Sequence, residues 1–167
     1  NTDAWYVGGS GKIVNVQNST FYGNSAVRSG GAISVMNQTV TLNLINTILW
    51  NNTAGTSGSQ LFSLGANPSI IFDHCDIQGG FAGAGVVPNG ALVIDNGGNM
   101  DYDPSFVSAA TYNFDLKTGS PCINTGNPAG APATDIVGDP RDPFTDIGAY
   151  EGPSKGTPTI IYVNANN

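Results

Sequence analysis

Charge is what this sequence has least of. Only 10% of its 167 residues are charged, against roughly 25% in an ordinary soluble domain. Glu151 is the one glutamate, and the basic residues are just Lys12, Arg28, Lys117, Arg141 and Lys155. Long charged helices are therefore not supported. The net charge of −7 repels nucleic-acid phosphates and anionic membranes, so neither is expected as a partner. The scattered basic residues also argue against a polysaccharide lyase site in this stretch, since that chemistry needs cations around an anionic sugar. Histidine occurs once, at His74, with no matching Ser or Cys to build a hydrolase triad. The two cysteines, Cys75 and Cys122, lack metal-ligand spacing. They read as buried thiols or, in an oxidising compartment, as a disulfide pair, and the sequence does not decide between the two. No apolar run approaches the roughly 20 residues that span a bilayer as a helix, and no membrane insertion is expected.

What the sequence has instead is Asn, Ser, Thr and Gly around a hydrophobic fraction of 40%, enough for one domain with a sizeable core. Such a palette suits short strands joined by tight turns, where Asn and Gly tolerate positive φ. An internal repeat organises it. Val16-Gln-Asn18-Ser-Thr-Phe21-Tyr22-Gly-Asn24 aligns with Leu44-Ile-Asn46-Thr-Ile-Leu49-Trp50-Asn-Asn52 and with Phe72-Asp-His74-Cys-Asp-Ile77-Gln78-Gly-Gly80, at a constant offset of 28 (from 16 to 44 to 72). Apolar positions agree down the columns Val14/Leu42/Ile70, Val16/Leu44/Phe72 and Phe21/Leu49/Ile77. Within a unit the apolar residues alternate with period two, the mark of strands. Units this short hold no crossover helix, so each strand must pair with its copy in the next unit, about 4.8 Å away. Asn18 is expected to stack on Asn46, and Asn24 on Asn52. The expected fold is all-β: a right-handed parallel β-helix (solenoid) with about 28 residues per coil and an irregular C-terminal cap.

The C-terminal half adds Cys75-Asp-Ile-Gln-Gly-Gly80, Gly98-Asn-Met-Asp-Tyr-Asp103-Pro-Ser-Phe106, Phe114-Asp-Leu-Lys-Thr-Gly-Ser-Pro121-Cys-Ile-Asn-Thr-Gly126, Gly138-Asp-Pro-Arg141 and Asp146-Ile-Gly-Ala-Tyr-Glu151. With these runs, over about residues 72–151, the sequence resembles the secreted bacterial right-handed parallel β-helix proteins of the pectate-lyase-like superfamily. It is most similar to the terminal segment of large surface proteins with varied anchoring modules. The resemblance implies an extracellular or cell-surface location and fixes no activity. Physically the ending reads as a cap. Its prolines block further ladder pairing, and Ile147, Ala149 and Tyr150 are placed to cover the interior of the last coil.

Three parts are expected: coils over 1–97, a last coil and cap over 98–151, and a linker with a fresh strand over 152–167. The chain opens on Asn1-Thr-Asp-Ala-Trp-Tyr-Val as if inside a coil and ends near Ile160-Ile-Tyr-Val163, which reads as the start of a following unit. Head-to-tail self-association is the partner reading that follows.

Candidate chemistry is sparse. Asp73 and Asp76, with Asp101 and Asp103 about one coil later, could pair as acid and base of a glycoside hydrolase or bind calcium; turn-forming Asp explains them as well. Asp135, Asp139, Asp142 and Asp146 are the calcium candidates in the densest charged stretch, where Arg141 paired with Asp146 or Asp135 is the preferred structural reading. Calcium is the only cofactor suggested. Tyr22 and Trp50 share an outward column and are carbohydrate-binding candidates, a possible polysaccharide platform. The leading expectation is a non-catalytic extracellular β-helical module of a large surface protein: a structural shaft, adhesin or filament unit. The second is a fragment of a carbohydrate-active enzyme (polysaccharide lyase or glycoside hydrolase) or a carbohydrate-binding β-helix.

Overall fold

The computed structural model describes residues 5–36, 39–65, 67–81 and 85–153. Strand β1 (Trp5–Val7) is followed by β2 (Ile13–Gln17), β3 (Thr20–Tyr22) and β4 (Ser25–Ala26), and this order recurs. The second round is β5 (Ile33–Val35), β6 (Thr41–Ile45), β7 (Ile48–Trp50) and β8 (Thr53–Ala54); the third is β9 (Leu61–Leu64), β10 (Ser69–Asp73) and β11 (Asp76–Ile77). Strands β12 (Val86–Asn89) and β13 (Leu92–Asp95) begin a fourth. Like strands pair with like, all in parallel, giving the sheets β1-β5-β9-β12, β2-β6-β10-β13, β3-β7-β11 and β4-β8. The chain is a stack of parallel strands, a β-solenoid.

The register follows the hydrophobic columns. Val14, Leu42, Ile70 and Val93 lie opposite one another, as do Val16, Leu44, Phe72 and Asp95. Because side chains alternate across a strand, these columns point into the coil, where Leu42, Leu44, Ile70, Phe72, Leu49 and Ile77 are completely buried in one cluster. Asparagine amides stack beside them: Asn43 donates to Asn15 at 2.6 Å and Asn24 to Asn52 at 2.9 Å, each pair 28 residues apart. Asn18, Asn46 and His74 turn the chain between the second and third sheets, all with positive φ. Between the third and fourth rounds the offset falls, to 23 from Ser69 to Leu92 and to 25 from Leu61 to Val86.

The two ends of the stack differ. At the first coil, Trp5 and Phe21 stand in inward columns with no described coil above them, their rings 6.0 Å apart. At the far end the free edges carry Pro88 on β12 and Asp95 at an inward position on β13. A proline without N–H and an inward charge are the usual guards of an unpaired edge.

Residues 98–101 complete the fourth round, with Met100 bridging in parallel to Asp76 at the edge of the third sheet. Residues 102–152 depart from expectation. They do not sit over the interior of the last coil. They run along the outer face of β3-β7-β11 as a strap, and the hairpin β14 (Phe106–Ser108) and β15 (Asn113–Leu116) belongs to it. Ile147 is buried in a second cluster with Ile48, Phe106, Leu116, Cys122 and Ile123, and the Ala149 N–H donates to Thr20 Oγ1 in the first coil at 3.1 Å. The reason lies in the outward column of the third sheet. Ile48 and Trp50 are apolar there, and an apolar outer face is stabilised by a second layer. The strand expected over Thr157–Asn164 lies outside the described residues.

Candidate functional site

The strap and the sheet it covers bring together the groups with unusual environments. Thr20, Ile48 and Asp76 occupy one ladder position in three successive coils. Their neighbours Phe21, Leu49 and Ile77 point inward, so this column points outward, beneath the strap. Gly148 crosses it so closely, at φ +111, that a Cβ would lie 2.7 Å from Ile48 Cδ1.

Asp76 is completely buried in this column. One carboxylate oxygen accepts the Tyr102 N–H at 3.1 Å and the other the Cys122 thiol at 3.3 Å. Burial raises its pKa to about 7; the Tyr102 and Cys122 hydrogen bonds oppose the rise and the charges of Asp101 and Asp103 add to it. The Cys122 thiol is itself pushed far up, by burial and by Asp76. Cys75 is raised to about 12, mainly by burial. Both thiols are free, Cys75 in the coil interior and Cys122 in the strap cluster.

Further along, Asp73 accepts from His74 Nδ1 at 2.5 Å and from Asn127 Nδ2 at 3.2 Å. Asp101 Oδ1 accepts the Gly79 N–H at 3.1 Å and Asp103 Oδ1 the Ser105 N–H at 2.8 Å. These carboxylates organise turns.

In the strap, Arg141 pairs with Glu151 at 2.8 Å, not with Asp146 or Asp135, and both side chains are buried. The guanidinium also donates to the carbonyls of Gly148 and Ala149. Geometry explains the choice of partner, because the other two carboxylates are taken up by backbone. Asp135 accepts the N–H groups of Val137, Asp139 and Glu151. Burial works to raise its pKa, and these hydrogen bonds outweigh that and lower it. Asp146 accepts the Asn124 N–H at 2.7 Å and the Gly152 N–H at 2.6 Å, and burial still raises it to about 6. Asp142 Oδ1 accepts the Phe144 N–H, and Asp139 offers its own N–H to Asp135. Among the described residues no group of three or more His, Cys, Asp or Glu is placed to hold a metal ion.

Tyr22 and Trp50 do share an outward column, Tyr22 opposite Trp50 in register. Both are half-buried beneath the hairpin. The Tyr22 ring meets Phe106 edge-on at 5.5 Å and Phe114 at 5.2 Å. What stays open is a recess of about 270 Å³, lined among others by Tyr22, Trp50, Asp103, Ser105, Phe106 and Lys117.

No family model, no curated protein and no solved structure matches the chain. The geometry alone therefore carries the functional reading. The contact between Asp76 and Cys122 escaped the sequence reading, although one signal was there: an Asp at a position filled by Thr and Ile in the other coils.

Proposed function

We propose that this is a non-catalytic β-helical module of a large extracellular surface protein, serving as a rigid shaft. The reading takes the solenoid to be right-handed, with about 28 residues per coil as in the Asn15–Asn43 and Asn24–Asn52 pairs, and related to the pectate-lyase-like superfamily. One observation supports it most: the apolar columns run through three successive coils and asparagine pairs join the first two, with a strap fastened along their side. Coil 1 is held through Thr20 and Asn18, coil 2 through Asn46 and coil 3 through Asp73 and Asp76. Such a rod resists bending and proteolysis because its inner coils are bound on both faces and its first three along one side. The test is a screen of the purified chain against plant and bacterial polysaccharides, with binding and product release both followed. A shaft gives neither. Release of oligosaccharides would sink the reading in favour of a carbohydrate-active enzyme.

The carbohydrate-binding alternative has its own observation in the recess beside Tyr22 and Trp50. Saturable glycan binding without turnover, abolished in Trp50→Ala, would select it.

A further inference from the structure

The loop from Asp103 to Pro121 leaves the strap, forms the β14–β15 hairpin and returns. Its two ends meet: Ser120 Oγ donates to the Pro104 carbonyl at 2.6 Å, and the Lys117 N–H to the Ser105 carbonyl at 3.0 Å. The residues just outside this base, Tyr102 and Cys122, are both held by Asp76, one on each carboxylate oxygen. The body of the loop lies over the outward aromatic pair, with Phe106 and Phe114 on Tyr22 and Ala109 packed in one cluster with Trp50.

We propose that residues 103–121 form a flap over Tyr22 and Trp50, latched at its base by protonated Asp76, and that ionisation of Asp76 loosens the latch. The physical argument is desolvation. A buried carboxylate is tolerated when neutral and is costly when charged without a cation to compensate it. Facing Asp76 from the strap is the Cys122 thiol, itself a neutral group made hard to ionise. The charges acting on it from the segment that enters the flap are Asp101 and Asp103, both of the wrong sign. The single cation of the flap, Lys117, lines the recess beside Asp103. Raising the pH sends the Asp76 proton to solvent and leaves a buried charge; its desolvation outweighs the strengthened Tyr102 and Cys122 hydrogen bonds and favours an opened, hydrated base. The outward column supplies an internal control, since Thr20 and Ile48 fill the same position in coils that need no latch. Asp146, a buried acid of the strap whose pKa is also raised, binds the backbone of Asn124 and Gly152, beyond the flap.

This inference does not depend on the shaft reading. Its test uses the full chain in a Trp5→Phe background, so that Trp50 is the only tryptophan. Acrylamide quenching of Trp50 and amide exchange across 103–121, corrected for intrinsic rates, are compared at about pH 5 and about pH 8.5. Wild-type Asp76 is expected to give exchange at least about tenfold faster at the higher pH, with increased quenching. Asp76→Asn, which keeps the shape and the Tyr102 contact, is expected to remove the pH response. Asp76→Thr, the residue of coil 1, is the second variant and should also be flat. A flap equally protected at both pH values overturns the proposal, whatever the variants do. So does an unchanged pH response in a folded Asp76→Asn or Asp76→Thr.

Discussion

Asn46 binds Asn127 as a strand binds its neighbour. Its side-chain amide donates to the Asn127 carbonyl at 2.8 Å, and its Oδ1 accepts the Asn127 N–H at 2.7 Å. One completely buried side chain thus pairs both backbone groups of Asn127. Asn46→Ala leaves both Asn127 groups without these partners and places alanine at positive φ, so a loss of about 3 kcal/mol is expected. Urea unfolding measures it; a change under about 0.5 kcal/mol would mean the strap repacks freely.

Stability should fall as pH rises across the mildly acidic range. Asp76 and Asp146 have folded pKa values of about 7 and about 6, above the ordinary 3.8. Their contribution is complete below about pH 4 and is lost as pH passes through the folded values, with Asp76 worth on the order of 4 kcal/mol. Asp135 has the opposite sign: its lowered pKa gives stability that disappears on strong acidification. An optimum at about pH 4 follows. Urea midpoints across pH check it, and a flat profile from about pH 5 to about pH 8 would contradict the assigned burial.

Removing one partner of the Arg141–Glu151 pair should cost far more than an ordinary surface ion pair. Glu151 holds Arg141, and it also accepts the N–H groups of Asp142 and Asp146. Arg141→Ala leaves that carboxylate buried and uncompensated, for an expected loss of about 3–5 kcal/mol. Thermal unfolding with and without high salt separates this case from a screened surface pair, whose loss would be small and salt-dependent.

The thiols should be silent in the native protein. Cys75 and Cys122 are free, buried and raised in pKa, so little thiolate exists to react. A thiol reagent is expected to label neither until denaturant is added and then to label both. Reductant should leave the melting temperature unchanged, and a marked drop would reveal a disulfide.

The coils were legible in the sequence because apolar residues recur at the inward ladder positions. Val14, Leu42 and Ile70 cannot be moved by one residue without turning a whole face outward. The asparagine stacks were legible from recurrence at the same offset. The strap was not, because its apolar residues, Phe106, Leu116, Ile123 and Ile147, are spread among turns with no period. The face it covers was visible only as Ile48 and Trp50, two outward apolar residues that sequence alone could equally assign to a sugar platform. Arg141 chose Glu151 because the backbone had already occupied Asp135 and Asp146, a competition that spacing does not show.

Solenoids ordinarily melt like a row of dominoes, each unit depending on its neighbours alone. Here the Thr20, Asn46 and Asp73 contacts tie one lateral segment to three successive coils. That segment works as a splint: opening any one coil strains its attachments to the other two. The rod should therefore unfold as a single block, and cutting the splint should let it fray from the ends.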